Sequence, residues 1–190
     1  LRVTAELITR RGVDGVQFAE VAAAAGVTRP LVYKFFPSRQ ALIIAVLEDY
    51  AGALTERFGR RSLDTIPGGV EDVALVFVEA VADTIESYGA GPWHLLDSKG
   101  PDPDVARRGQ AIMDQLMAPW RAQMAVRLHI SPRAAATLAR MIVAAGRAAL
   151  ELWCAGRLSR AEAVRDSTRG VSALLQAFAA PPGRRRPRRA

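Results

Sequence analysis

Apolar residues recur at helical spacing along almost the whole chain, and no stretch alternates apolar and polar positions between turn signals as a strand does. This periodicity constrains the fold more than any other feature and predicts an all-α protein. The punctuation agrees with it. Gly12 sits where a helix over residues 1–11 must end, and Gly26 closes a short helix over residues 18–25. Thr28 is a good N-cap for a third helix, which tolerates Pro30 in its first turn and must stop before Pro37. Ser38 caps a longer helix reaching about residue 58. Beyond the break Ile66-Pro67-Gly68-Gly69, residues 70–88 are apolar enough for a nearly buried helix, and residues 89–104 permit only one short helix around Trp93. A long helix over residues 104–128 follows, with Pro119 as an expected kink. Ser131-Pro132 opens the next helix, and the capping box Ser159-Arg-Ala-Glu162 introduces a last one to about residue 179. The expectation is about nine helices: a three-helix helix-turn-helix head and a larger carboxyl-terminal helical bundle.

With 190 residues, half of them hydrophobic and 24% charged, the chain is long enough for a sizeable core. Disorder over most of its length, a collagen-like repeat and a small disulfide scaffold are excluded. Apolar runs such as residues 73–78 are far short of the ~20 residues that cross a bilayer. Nothing near Leu1 reads as a secretory leader, and one cysteine, Cys154, forms no internal disulfide; a cytoplasmic location is expected. The net charge of +7 lies at the two ends. Residues 61–180 are neutral, whereas residues 181–190 hold five Arg and no acid. Basic ends attract nucleic acid or an anionic membrane, and charge alone does not choose between them. The 24 Arg against 2 Lys, with abundant Ala, reflect a GC-rich genome more than a function.

Three short helices within the first 36 residues, the last two joined by a tight turn at Gly26, describe a helix-turn-helix unit. Leu7, Ile8, Phe18, Val21, Ala22, Val27, Val32 and Phe36 are its expected core. The outer face of the third helix presents Thr28, Arg29, Tyr33 and Lys34. The string from Val21 to Leu42, with its Ala-Gly-Val-Thr turn, the aromatic run Tyr33–Phe36 and the Ser38-Arg39 opening of the fourth helix, resembles the DNA-binding domain of TetR/AcrR-type repressors. The strong likeness covers about residues 7–47. Two positions depart from the family pattern: Gln17 stands where a Thr usually caps the second helix, and Thr4 where a small Ala is usual.

A helix fits the major groove and reads base edges from its amino-terminal half. Arg29 is placed to donate two hydrogen bonds to a guanine, and Leu31 to meet a thymine methyl, with Pro30 between them. Thr28 and Lys34 by placement, and Tyr33 and Arg39 by the resemblance, are expected phosphate contacts, which fix register without reading sequence. Gln17 is a weaker candidate for the same role, because its amide donates but caps poorly. The resemblance implies a 1–47 DNA-binding domain, a 48–180 effector-binding and dimerisation domain, and a disordered tail over 181–190 that strengthens DNA binding or simply aids solubility.

In the body, Phe77, Tyr88, Trp93, His94, Met113, Met117, Trp120 and Met124 have the character of an apolar ligand cavity or, equally, of a filled core. The resemblance implies the cavity and a small apolar or aromatic effector. Leu138, Met141, Ile142, Ala145, Ala149 and Leu152 form one stripe, and Val164, Ser167, Val171 and Leu174 another. By the resemblance, these build a four-helix interface between two subunits; the alternative is burial within one chain. His94 and Asp97 are one turn apart, but no metal site, cofactor or convergent catalytic set is expected. The function expected is a homodimeric repressor on double-stranded DNA, released from a near-palindromic operator by its effector. The alternatives are a chromosome-organising protein or activator of the same fold without an inducer, and, more remotely, an enzyme or a membrane-bound protein.

Overall fold

The computed structural model describes residues 1–65, 70–96 and 102–179. Among these residues there are nine helices and no strand: α1 (Arg2–Arg11), α2 (Phe18–Ala25), α3 (Arg29–Phe35), α4 (Arg39–Thr65), α5 (Val70–Tyr88), α6 (Gly91–Leu95), α7 (Pro103–Arg127), α8 (Pro132–Cys154) and α9 (Arg160–Ala179). Nearly every boundary has a chemical cause. At the end of α2, Gly26 takes a left-handed φ of 66°, and Val27 N–H reaches Ala22 O at 3.0 Å, the wide hydrogen bond of a glycine-terminated helix. The Ser38 hydroxyl accepts from Ala41 N at 3.1 Å, and the Asp102 carboxylate from Asp104 N at 3.0 Å and Val105 N at 3.2 Å. The capping box is complete: Glu162 N donates to Ser159 Oγ at 3.2 Å while Ser159 N donates to Glu162 Oε2 at 2.8 Å. These bonds, first the backbone one, hold the Glu162 carboxyl below its usual range.

The helices form two compact units. The first, Leu1–Asp64 with Glu79–Met117, is organised by α4. Leu42, Ile43, Val46, Leu47, Tyr50 and Leu54 recur at helical spacing and are at most 1% exposed. Each of these aliphatic side chains contributes about 1.5–3 kcal/mol through burial. Polar contacts then orient the neighbouring helices. Arg57 on α4 donates to Ser87 Oγ at 2.8 Å and Thr84 Oγ1 at 3.4 Å on α5. Arg2 on α1 donates to Ser87 O at 3.1 Å, with its guanidinium 5.2 Å from the centre of the Tyr88 ring. The same ring meets Tyr50 edge-on at 5.7 Å. Burial pushes the Tyr88 phenol above its ordinary value, and the hydrogen bond and charge of Asp49 add to the shift.

Helix α1 also seats directly on α6. The Thr9 hydroxyl donates to Ala5 O at 2.9 Å and accepts from Gly91 N at 3.0 Å. A Cβ on Gly91 would lie 2.6 Å from Thr9 N, so glycine is what permits this approach. Gly89 beside it has a φ of 81° and faces the same Thr9 side chain.

The second unit, Thr65–Val78 with Ala118–Ala190, is built on the α8–α9 pair. The inward face of α8 is Ala135, Leu138, Ala139, Ile142, Gly146 and Leu150, and that of α9 is Ala163, Val164, Ser167, Val171 and Leu175. Small residues let the two approach: Ser167 Oγ donates to Gly146 O at 3.1 Å, and Ala145 Cβ lies 3.8 Å from where a Cβ on Gly170 would be. Phe77 and Trp120 stack edge to face at 5.3 Å in the same unit.

Helix α7 runs through Pro119, as the expected long helix does, and the missing N–H of Pro119 costs it one backbone bond. The sequence expectation differs from the structure in two places. Helix α4 runs on to Thr65 rather than stopping near residue 58, with Gly59 inside it. Val27, expected in the head core, is 38% exposed: its N–H closes the Gly26 turn and its side chain faces outward. Thr4, Ala5 and Val16 are at most 1% exposed and belong to that core instead. The break at 66–69, Asp97 and the 181–190 tail fall outside the described residues.

Candidate DNA-binding surface

Four of the residues expected to meet DNA, Gln17, Arg29, Tyr33 and Arg39, line one cleft of the head. Gln17, Thr28, Arg29, Pro30, Leu31, Tyr33 and Lys34 are exposed, and Arg39 is half-buried. Pro30 lies in the first turn of α3, where it lacks only an N–H that has no helical partner anyway. Thr28 has an extended backbone at the cap of α3, but its side chain makes no capping bond.

Between α2, α3 and the start of α4 lies a cleft of about 480 Å³. Val16, Phe18 and Ala19 form its apolar wall, and Gln17, Arg29, Tyr33, Ser38 and Arg39 supply its polar groups. Gln17 is the N-cap of α2 in an extended conformation, yet its amide gives no cap bond to the first turn. The amino-terminal end of α2, with its unsatisfied N–H groups and positive dipole end, therefore opens on the same cleft as two guanidiniums and two hydroxyls. A phosphate group is the ligand this chemistry fits: an anion at a helix amino terminus, with Arg forks on either side.

Two of these polar groups, Tyr33 and Arg39, are held in place by neighbours. The Phe18 ring meets Tyr33 edge-on at 4.6 Å, fixing the phenol on the cleft wall. Arg39 donates to Asp14 O at 3.3 Å and pairs with Asp14 Oδ1 at 3.6 Å, which positions its guanidinium beside the loop preceding α2. Arg11 pairs with Glu20, tying α1 to α2 behind this face. On the far side, Asp102 bonds the Gln40 side chain and faces Arg39. Its carboxyl is held low chiefly by the Val105 N–H, then by Asp104 N–H, Gln40 and the Arg39 charge. Arg108 on α7 forks onto Glu48 on α4 at 2.7 and 3.0 Å, an exposed pair worth at most about 1 kcal/mol.

Sequence reasoning placed Ser38 as a cap only and missed Asp14. The Ser38 hydroxyl does both jobs, capping α4 and lining the cleft. Asp14 carries no local signal, because its partner lies 25 residues away.

In the body, Phe77, Trp93, Met113, Met117, Trp120 and Met124 are at most 8% exposed, while Tyr88 and His94 are half-buried. Tyr88, Trp93, His94, Met113 and Met117 belong to the first unit, and Phe77, Trp120 and Met124 to the second. The α8 and α9 stripes each combine two faces. Leu138, Ile142, Val164, Ser167 and Val171 are buried within the chain, whereas Met141 is 40% exposed and Ala145, Ala149, Leu152 and Leu174 are half-buried. No described helix is long and apolar enough to cross a membrane.

Comparison with known proteins supplies the remaining facts. Residues 1–46 match the family model of bacterial regulatory proteins, tetR family. No curated protein matches the chain. Three solved structures share its fold. The fatty acid degradation regulator FadR from Bacillus halodurans has a TM-score of 0.67 at 15% identity, over 97% of this chain and 96% of that one. The TetR-family transcriptional regulator PfmR from Thermus thermophilus has a TM-score of 0.63 at 16% identity, over 92% and 96%. A protein from Rhodococcus sp. described as a TetR-family transcriptional regulator has a TM-score of 0.62 at 19% identity, over 92% and 95%. At these identities the likeness is one of fold. The amino-terminal 46 residues are thus similar to the tetR family of bacterial regulatory proteins, and the helices of the chain share the fold of these solved structures.

Proposed function

We propose that this regulator is a cytoplasmic homodimeric repressor that leaves a near-palindromic operator when a small, largely apolar ligand binds its body. The observation that carries the DNA half is the cleft where the α2 amino terminus, Arg29, Tyr33, Ser38 and Arg39 meet beside an exposed α3. A phosphate seated there sets the register, and Arg29 then reaches a base edge in the major groove, worth about 1–3 kcal/mol of discrimination. Two heads on a twofold axis engage half-sites ~34–36 Å apart.

The dimer half rests on what α8 and α9 leave uncovered. Met141, Ala149 and Leu152 lie at helical spacing on α8 outside its buried face, with Ala145 at the edge beside Gly170, and Leu174 lies outside the buried face of α9. This narrower stripe is the proposed contact with a second subunit. The ligand half rests on the buried Trp93, Met113 and Met117 side chains of the first unit. An effector that favours a dimer with the wrong head spacing weakens DNA binding by the same coupling energy with which DNA weakens effector binding.

The experiment is a titration of operator DNA with the full chain, repeated with each compound found to bind the body. Release by at least one such compound supports the repressor reading. Undiminished operator affinity with all of them at saturation favours a regulator without an inducer.

A further inference from the structure

Eight large apolar side chains stand exposed among the described residues, and four of them, Val27, Leu31, Tyr33 and Phe35, fall between positions 27 and 35. Tyr33 is accounted for by the phosphate cleft and by Phe18. Leu31 and Phe35 are not. They are 40% and 66% exposed, and at a separation of four residues they share one flank of α3. On a helix of 3.6 residues per turn this flank lies roughly 200° around from that of Arg29 and Tyr33 by way of Pro30 and Lys34, with the buried Val32 on the remaining side. The exposed surface of α3 is therefore two-sided, with a polar edge running into the cleft and an apolar edge opposite it.

An apolar side chain gains nothing from a phosphate, which it only strips of water. Among the groups that base pairs present in the major groove, the apolar one is the thymine C5-methyl. The surroundings fit this occupant, because Lys34 between the two edges, with Arg29 and Arg39 at the cleft, draws a polyanion onto the exposed side of α3. We infer that Leu31 and Phe35 form a thymine-reading edge, so that each half-site carries thymines beside the base contacted by Arg29. The two side chains are one turn apart, ~5.4 Å along the axis against ~3.4 Å per base step, so the thymines lie one or two steps from each other.

The inference rests on the DNA-binding reading, and its test separates the two. The full chain is first used to select sites from random duplexes. Each thymine of the selected half-site is then replaced singly by deoxyuridine, which removes the methyl and keeps the pairing. Two positions are expected to lose affinity about fourfold each, the change equivalent to burying one methyl group. Leu31→Ala abolishes the loss at one position and Phe35→Ala at the other, while Arg29→Ala keeps both losses. A selected site bound equally well with every uracil, or losses that persist in both apolar variants, overturns the inference and leaves DNA binding standing. A selection that enriches no site overturns both.

Discussion

Replacing Gly91 with alanine puts a methyl group where α1 lies. The added Cβ would sit 2.6 Å from Thr9 N, 2.7 Å from Ile8 Cγ2 and 2.9 Å from Ile8 C. Two of these atoms are backbone and cannot rotate aside, so α1 must move away from α6 by about 1 Å to restore ordinary contact. Forced overpacking of this kind costs about 1–3 kcal/mol. The displacement also stretches the hydrogen bond from Gly91 N to Thr9 Oγ1, now 3.0 Å, a further loss of about 1 kcal/mol. For a protein of this size, about 2–4 kcal/mol lowers the thermal midpoint by roughly 4–16 °C. Thermal and urea unfolding followed by circular dichroism measure the loss, and amide exchange in α1 locates it. A Gly91→Ala protein with unchanged midpoint and unchanged α1 protection would refute the tight seating of the head on α6.

Gly52 is the converse case: it is exposed within α4, and a Cβ there meets nothing within 4 Å, so Gly52→Ala is expected to stabilise the protein by about 1 kcal/mol, read as a higher urea midpoint. Glu162 has a lowered pKa when folded, so its contribution to stability is complete above the ordinary value of 4.5 and is lost as pH falls through the folded value. Glu162→Gln is therefore expected to be less stable than the parent at neutral pH and to match it more closely in acid, as unfolding midpoints across pH will show. Arg29→Ala is expected to retain duplex binding while losing preference at one base per half-site, seen by repeating the site selection. Lys34→Ala is expected to weaken binding evenly across sequences and to reduce the slope of log affinity on log salt by about 0.9 per head.

The helices were legible because their ends are written locally. Ser131 with Pro132, the Ser159–Glu162 box and Gly26 each fix a boundary through a hydrogen bond made within a few residues. The exposure of Thr28, Arg29, Tyr33 and Lys34 was legible too, since polar side chains on a short helix after a tight turn have nowhere to go but outward. Features that depend on distant partners were not. The hold of Asp14 on Arg39 spans 25 residues, and that of Thr9 on Gly91 spans 82. The α8 and α9 stripes were read as single faces because alanine and leucine suit an intrachain core and a subunit contact equally. Only the packing of Ser167 on Gly146 shows which side each helix turns to the other. Helix α4 outruns its expected end near residue 58 because a helix interior tolerates a glycine such as Gly59 at a cost of about 1 kcal/mol.

The central claim, that α3 and the cleft beside it dock on duplex DNA, is tested most directly by fluorescence anisotropy. The full chain is titrated against its selected duplex and against a scrambled duplex of equal length, over a range of salt. The account predicts tighter binding to the selected duplex at every salt concentration, a steep fall with salt, and both weaker binding and a smaller difference between duplexes in the Arg29→Ala, Arg39→Ala double variant. Equal binding to both duplexes by the unaltered chain, or a preference that survives the double variant undiminished, would contradict it.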